Sequence, residues 1–385
     1  MPPVSCEKGR NVSVLAWGGG LSGELGTGST RGSNSKPFSV EELPGDVELI
    51  AAGAGFSAAT TRSGGLYTWG NGKDGKLGHG DTRDAYTPRR VEAMDGRRIV
   101  SLDLGRSHGA AVDESGKLFA WGRGWSGQLG TGDKKGRLVP TDVALPPGVK
   151  AASVACGGQH TLVVTEDGQL LGAGHIYGGG GRGSSRASND DVNTTFQRIE
   201  LPGRCRQAAC GHDFSLALLE DGRVLSFGGN EFSQCGHGSN QTVGEPRVIS
   251  ALSGVVVDAV AAGEYHASAL VRSNGGRVYS WGYGKVGQLG VGSAVDISIP
   301  TVVASLSGRG IVGMWLGNGH SAALSSKAEL MVWGRGREGQ LGRGDEVESP
   351  VAYRTLPVKV DALPKHCKVV SVACGSAHTL CSLSC

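Results

Sequence analysis

A single phrase recurs along this 385-residue chain: an apolar run ending in Trp-Gly, then a glycine-rich loop. It stands at Trp17-Gly18, Trp69-Gly70, Trp121-Gly122, Trp281-Gly282 and Trp333-Gly334, with degenerate copies at Ala173-Gly174 and Phe227-Gly228. Successive spacings are 52, 52, 52, 54, 54 and 52 residues. A period this regular constrains the fold more than any other feature. Length alone would suggest two domains, but repeated units stack into one continuous body.

Each copy carries further shared parts. A Val/Ala-rich run leads into Gly-x-x-His at Gly105–His108, Gly157–His160, Gly263–His266, Gly317–His320 and Gly375–His378, with Phe56 and Phe214 in the same place twice. A hairpin follows, as in Thr161-Leu-Val-Val-Thr, Glu166-Asp167-Gly168 and Gln169-Leu-Leu. Asp-Gly between short apolar runs marks a tight turn that needs positive φ. Short strands, frequent turns and no helical period predict an all-β chain, and about 50 residues per unit suffice for the four strands of a propeller blade. The expectation is a seven-bladed β-propeller. Trp17, Trp69, Trp121, Trp281 and Trp333 are then structural, since an indole buries about 150–250 Å² and fits between blades.

The two ends predict how the ring closes. The chain opens on Val12-Ser-Val-Leu-Ala-Trp17, the last strand of a unit, and finishes on Ser371 to Leu383, which lacks that strand. Pairing the two would complete the last blade and remove two sheet edges. Residues 1–385 are thus one propeller, with a tail at 1–11 and an irregular loop at 175–193 in the fourth repeat.

Composition narrows the setting. Glycine, 67 of 385 residues, far exceeds the usual roughly 7%, yet no Gly-X-Y period accompanies it. Net charge is +3, too balanced for a nucleic-acid binder by bulk charge. Nine cysteines without regular spacing argue against a disulfide framework. Residues 1–10 hold no apolar run, and no stretch approaches the roughly 20 apolar residues of a membrane span. The expectation is a soluble, reduced, intracellular protein, cytoplasmic or nuclear, monomeric, without a membrane partner.

The repeated Trp-Gly loop and Gly-x-x-His resemble the regulator of chromosome condensation repeat family, from about Val12 to Leu383. Its founding member is the nucleotide-exchange factor for the small GTPase Ran; others are a plant UV-B photoreceptor and recognition modules of ubiquitin ligases. The resemblance implies that loops on the Gly-x-x-His face meet a protein partner. Positions so implied are His108, His160, His266, His320, His378 and Asp213; the varying loops of the same face add Arg106, Glu264, Tyr265 and Asn318 as recognition candidates. A structural reading stands beside this for the histidines, each opening a strand and ordering the preceding loop. Two departures bear on exchange activity: the stretch Trp121 to Asp133 lacks the inserted wedge of the exchange factor, and no basic tail precedes the propeller. The photoreceptor's tryptophans, just after the motif glycine, are replaced here by Arg106, Gly158, His212, Glu264, Asn318 and Ser376.

Other motifs read as structure. Gly-x-Gly-x-x-Gly begins at Gly18, Gly70, Gly122, Gly282 and Gly334, but a dinucleotide site needs a following helix, and each copy here runs into a turn. Cys156/His160, Cys374/His378 and Cys205/Cys210 lack a metal-site spacing. The stretch His175 to Asp191 breaks the repeat and offers Arg182 and Arg186 as contacts. No Ser/His/Asp set or carboxylate pair stands out, and no cofactor or metal is expected. The functional expectation is a non-catalytic platform for protein partners, with nucleotide exchange on a small GTPase as the alternative.

Overall fold

The computed structural model describes residues 11–29, 32–178, 192–344 and 353–385. These form seven four-stranded antiparallel sheets. Blade 1 comprises Val47–Ala52, Phe56–Thr61, Leu66–Gly70 and Ala85–Arg90, innermost strand first. Blades 2 to 6 repeat that order from inner strands Ile99–Leu104, Ala151–Cys156, Cys205–Cys210, Ala259–Ala262 and Ile311–Leu316. Blade 7 is built from both ends of the chain: Lys368–Cys374, His378–Ser384, Val12–Gly19 and Ser33–Ser39. The expected closure is present, with an unbroken register from Val12 opposite Ser384 to Gly18 opposite His378.

The second strand of every blade is buried along its whole length. It has a sheet neighbour on each edge and another blade on each face, so alternation of polar and apolar residues disappears there. Hairpin turns use glycine as expected; Gly168 adopts φ +79° after Asp167.

The tryptophans wedge between blades. All five are essentially inaccessible to solvent, and each indole N–H donates to a loop carbonyl of the preceding blade. Trp17 uses Gln340, Trp69 uses Glu24, Trp121 uses Lys76, Trp281 uses Gln234 and Trp333 uses Gln288, at 2.8–2.9 Å.

Blade 3 has Ala173 where the indole should be, and the fold repairs the loss from another strand. The glycine under the indole elsewhere, such as Gly290 under Trp333, has its counterpart in Gly130, which lies against the Phe196 ring. Phe196 comes from the outer strand Asn193–Ile199 and packs in one cluster with Ala173 and Leu129. The other six outer strands carry Pro37, Pro88, Pro140, Pro246, Pro300 or Pro357 at this place.

One expectation is corrected. Cys367 and Cys385 form a disulfide, so the chain is not wholly reduced in this structure. The register explains it: Lys368 pairs with Ser384, which sets the next residues outward directly opposite each other. The other described cysteines are free.

Candidate partner-binding face at the channel mouth

The inner strands surround a channel of about 790 Å³. Its rim at the Gly-x-x-His end is a ring of the motif glycines. Ala54 N–H donates to Gly105 O, Arg106 to Gly157, Gly158 to His212, His212 to Glu264, Glu264 to Gly317, Asn318 to Gly375 and Ser376 to Gly53, at 2.9–3.3 Å. Every blade thereby holds the next by one backbone bond, and the circle closes. A methyl group on any of these glycines would overlap the next blade's backbone and the aromatic ring three residues on. Glycine here is a packing requirement.

The histidines three residues on are corrected as contact candidates. His108, His160, His266, His320 and His378 have no exposed surface, so none can touch a partner. Each Nε2 meets a hydroxyl of the following blade: His108 with Thr161, His160 with Ser215, His266 with Ser321, His320 with Thr379 and His378 with Ser57, at 2.8–2.9 Å. Their side-chain bond therefore goes to the neighbouring blade and not to the loop before them. Ser57, Thr161, Ser321 and Thr379 give their own proton to a loop carbonyl, so the hydroxyl oxygen accepts from imidazole N–H. Burial holds the rings neutral, lowering their pKa to about 4 for His108 and His378 and about 3 for the other three.

The residues just after the motif glycines face outward and differ between blades. Arg106 and Asn318 are exposed, and His212, Glu264 and Ser376 are half-buried. Because Gly158 has no side chain, Arg106 passes over blade 3 and donates through Nη1 to His212 Nε2 at 2.6 Å. Burial first, then the Arg106 charge, lowers the His212 pKa to about 4. A neutral imidazole accepting from a guanidinium follows.

His212 begins an aromatic chain across blades 4 and 5. Its ring lies 5.3 Å from Tyr265, Tyr265 lies 5.0 Å from Phe232, and Phe232 lies 5.1 Å from Tyr283. Burial, then the charges of Glu264 and Asp213, raises the Tyr265 phenol to about 12, so it remains a hydrogen-bond donor at neutral pH. Burial also raises Glu264, against the pull of Arg106. Arg106, Glu264, Tyr265 and Asn318 thus lie together at the mouth.

Asp213 is a further correction. It is 9% exposed, accepts from Gln234 Nε2 at 3.2 Å and packs on Gly229. A carboxylate so enclosed shapes the loop more than it meets a partner. Arg182 and Arg186 lie outside the described residues. The Gly-x-Gly-x-x-Gly stretches form successive turns, with Gly127 N–H bonded to Gly124 O and Gly130 to Gly127.

Sequence reasoning missed Phe232 and Tyr283, which lie in another loop of the repeat. It also left Trp125 without a place. That indole is 62% exposed, with the Arg123 guanidinium 4.3 Å above it and Asp74 3.3 Å from that cation. Asp103 was missed inside the channel, where it accepts from Cys156 N–H at 2.7 Å and ties blade 2 to blade 3. Burial raises its pKa to about 6.

Comparison with known proteins agrees with this architecture. The family model described as RCC1-like domain matches residues 13–381. The chain belongs to the RCC1-like propeller family. Within that family it is 33% identical to the Ultraviolet-B receptor of Arabidopsis thaliana over 91% of this chain and 78% of the receptor. It is 31% identical to a mitochondrial RCC1 domain-containing protein of the same plant, over 97% of this chain and 89% of that one. The solved structure of Prp20p from Saccharomyces cerevisiae superposes with a TM-score of 0.83 at 20% identity, covering 100% of this chain and 96% of that one. The last comparison speaks to the fold alone.

Proposed function

We propose that this RCC1-like propeller takes a protein partner on the channel mouth, and that a small GTPase of the Ran type is its partner class. It would act as an exchange factor by holding the nucleotide-free GTPase more tightly than the loaded form, with no covalent chemistry of its own. One observation carries the reading. Positions that build the ring repeat from blade to blade, whereas the rim residues Arg106, His212, Glu264 and Asn318 do not, although they share one repeat place. The fold does not demand that variety, and recognition does. The solved Prp20p structure, whose described binding properties concern Gsp1p and histones, lends the GTPase class its support.

A non-catalytic platform is the second reading. It draws on the same mouth and on the stretch Trp121 to Asp133, which is an ordinary repeat loop. Light reception is not favoured, because no residue following a motif glycine is tryptophan.

The experiment compares wild type with the double variant Arg106→Ala, Glu264→Gln in partner capture from the source cell and in release of labelled GDP. Exchange activity in wild type, reduced at least about tenfold in the variant, supports the GTPase reading, since breaking a desolvated charge contact costs roughly 2–5 kcal/mol. Capture lost without any exchange activity moves the reading to the platform. Capture and exchange undiminished in the variant would remove the mouth as the binding face.

A further inference from the structure

We propose that His366, Cys367 and Cys385 form a redox-gated site for a thiophilic divalent cation such as zinc, closed while the two sulfurs are joined and open once they are reduced. The site lies in blade 7, at the end of the strands away from the channel mouth. It does not rest on the partner-binding reading.

Geometry brings the three side chains together. Lys368 pairs with Ser384 across Lys368–Cys374 and His378–Ser384, so residues 367 and 385 continue the ladder face to face, with Cα atoms 4.2 Å apart. His366 precedes the first of them in the turn entering the strand. The imidazole and both sulfurs lie within 4.8 Å of one another. Tetrahedral zinc holds two thiolates about 3.8 Å apart, given a Zn–S distance near 2.3 Å. A modest side-chain rotation after cleavage of the S–S bond therefore suffices.

Chemistry distinguishes this pair from the other described cysteines. Cys156, Cys205, Cys235, Cys374 and Cys381 are buried and Cys210 half-buried, and burial pushes all six thiols upward, to about 12 for Cys205 and Cys235. Such thiols are inert as ligands and nucleophiles. Cys385 and His366 are exposed and Cys367 half-exposed, within reach of reductant and cation.

The opening step is thiol–disulfide exchange with a small dithiol. Its first thiolate attacks one protein sulfur, forming a mixed disulfide and releasing the other sulfur as thiolate. The second thiol of the reductant then attacks its own bonded sulfur, leaving as a cyclic disulfide and freeing the remaining protein thiolate. Two electrons pass from reductant to protein. Cation binding then releases any protons left on the two sulfurs and uses a lone pair of the His366 ring, with water at the fourth position. Either closure, covalent or metallic, ties both ends of the hairpin that receives Val12–Gly19.

The test uses the full chain, reduced with a dithiol, freed of reductant without oxygen and titrated with cobalt(II), which reports thiolate ligation by a charge-transfer band. The expected result is one equivalent of cobalt bound with that band, displaced by zinc. The oxidised protein and the Cys385→Ser variant should show no band, and His366→Ala should bind at least about tenfold more weakly. Reduced wild type without the band, or the band retained at full strength in Cys385→Ser, would overturn the proposal. Melting gives a second readout: zinc should raise the midpoint of reduced wild type and leave reduced Cys385→Ser unchanged. Equal midpoints with and without zinc in wild type would also overturn it.

Discussion

His378 Nε2 lies 2.9 Å from Ser57 Oγ, across 321 residues of sequence and the seam where blade 7 meets blade 1. The same imidazole–hydroxyl pair recurs at four other junctions. At the remaining two the imidazole is Phe56 or Phe214, and the next blade offers Gly109 or Ala267 instead of a hydroxyl. Both partners change together, because a buried hydroxyl or imidazole without its mate is costly.

This pairing predicts a strongly non-additive mutant cycle. Ser57→Ala should destabilise the protein by about 1–3 kcal/mol by stranding the imidazole N–H, and His378→Phe by losing that bond and setting an apolar ring against a hydroxyl that still donates to Glu24 O. The double variant recreates the Phe214–Ala267 junction and should recover at least half of the summed loss. Denaturant titration of the four proteins checks this; strict additivity would show that the pair is not coupled.

The histidines also predict acid sensitivity. An unfolded imidazole takes up a proton near pH 6.5, whereas the folded rings stay neutral down to about pH 4 for His108 and His378 and about 3 for His160, His266 and His320. Below about pH 6.5 the unfolded state therefore binds more protons, and stability falls as pH falls, by about 1.4 kcal/mol per pH unit for each ring at full effect. Asp103, raised to about 6, and Glu24, Asp213 and Glu264, also raised by burial, oppose this at lower pH, whereas His79, His212 and His237, lowered by burial, act with the five rings. Melting midpoints should drop steeply from pH 7 to pH 5, and less steeply in the His378→Phe, Ser57→Ala variant.

Phe196 should behave as a core residue although it lies on an outer strand. Phe196→Ala should cost about 3–5 kcal/mol, since it removes a buried ring that packs with Ala173 and Leu129. Adding Ala173→Trp with proline at 196 restores the arrangement around Trp121 and Pro140, where both stand beside Gly78. Chemical denaturation should show that combination regaining much of the loss.

Removing residues 1–19 should abolish cooperative unfolding, or lower the melting midpoint by well over 10 °C, by exposing both edges of the opened blade 7. Supplying Val12–Gly19 as a peptide should restore part of the transition. An unchanged melt would show that the ring does not depend on this strand.

The repeat by itself determined the blade count, the closure by the terminal strands and the inter-blade role of the tryptophans, because Trp17, Trp69 and their equivalents recur with a period that only stacked units satisfy. Even the histidine pairing was legible, had position 57 and its counterparts been compared with the ring residue one blade earlier. Tertiary structure alone decided which motif residues reach solvent: His108 and Asp213 stand within two residues of Arg106 and His212, yet turn inward, His108 to Thr161 of the next blade and Asp213 to Gln234 of its own. It alone brought Phe196 to the gap beside Ala173, Arg106 over Gly158 to His212, and Cys367 opposite Cys385. Those contacts depend on how blades are rotated against one another and on the register inside each sheet. Neither is encoded by a local period, because both are set by packing between segments far apart in the chain.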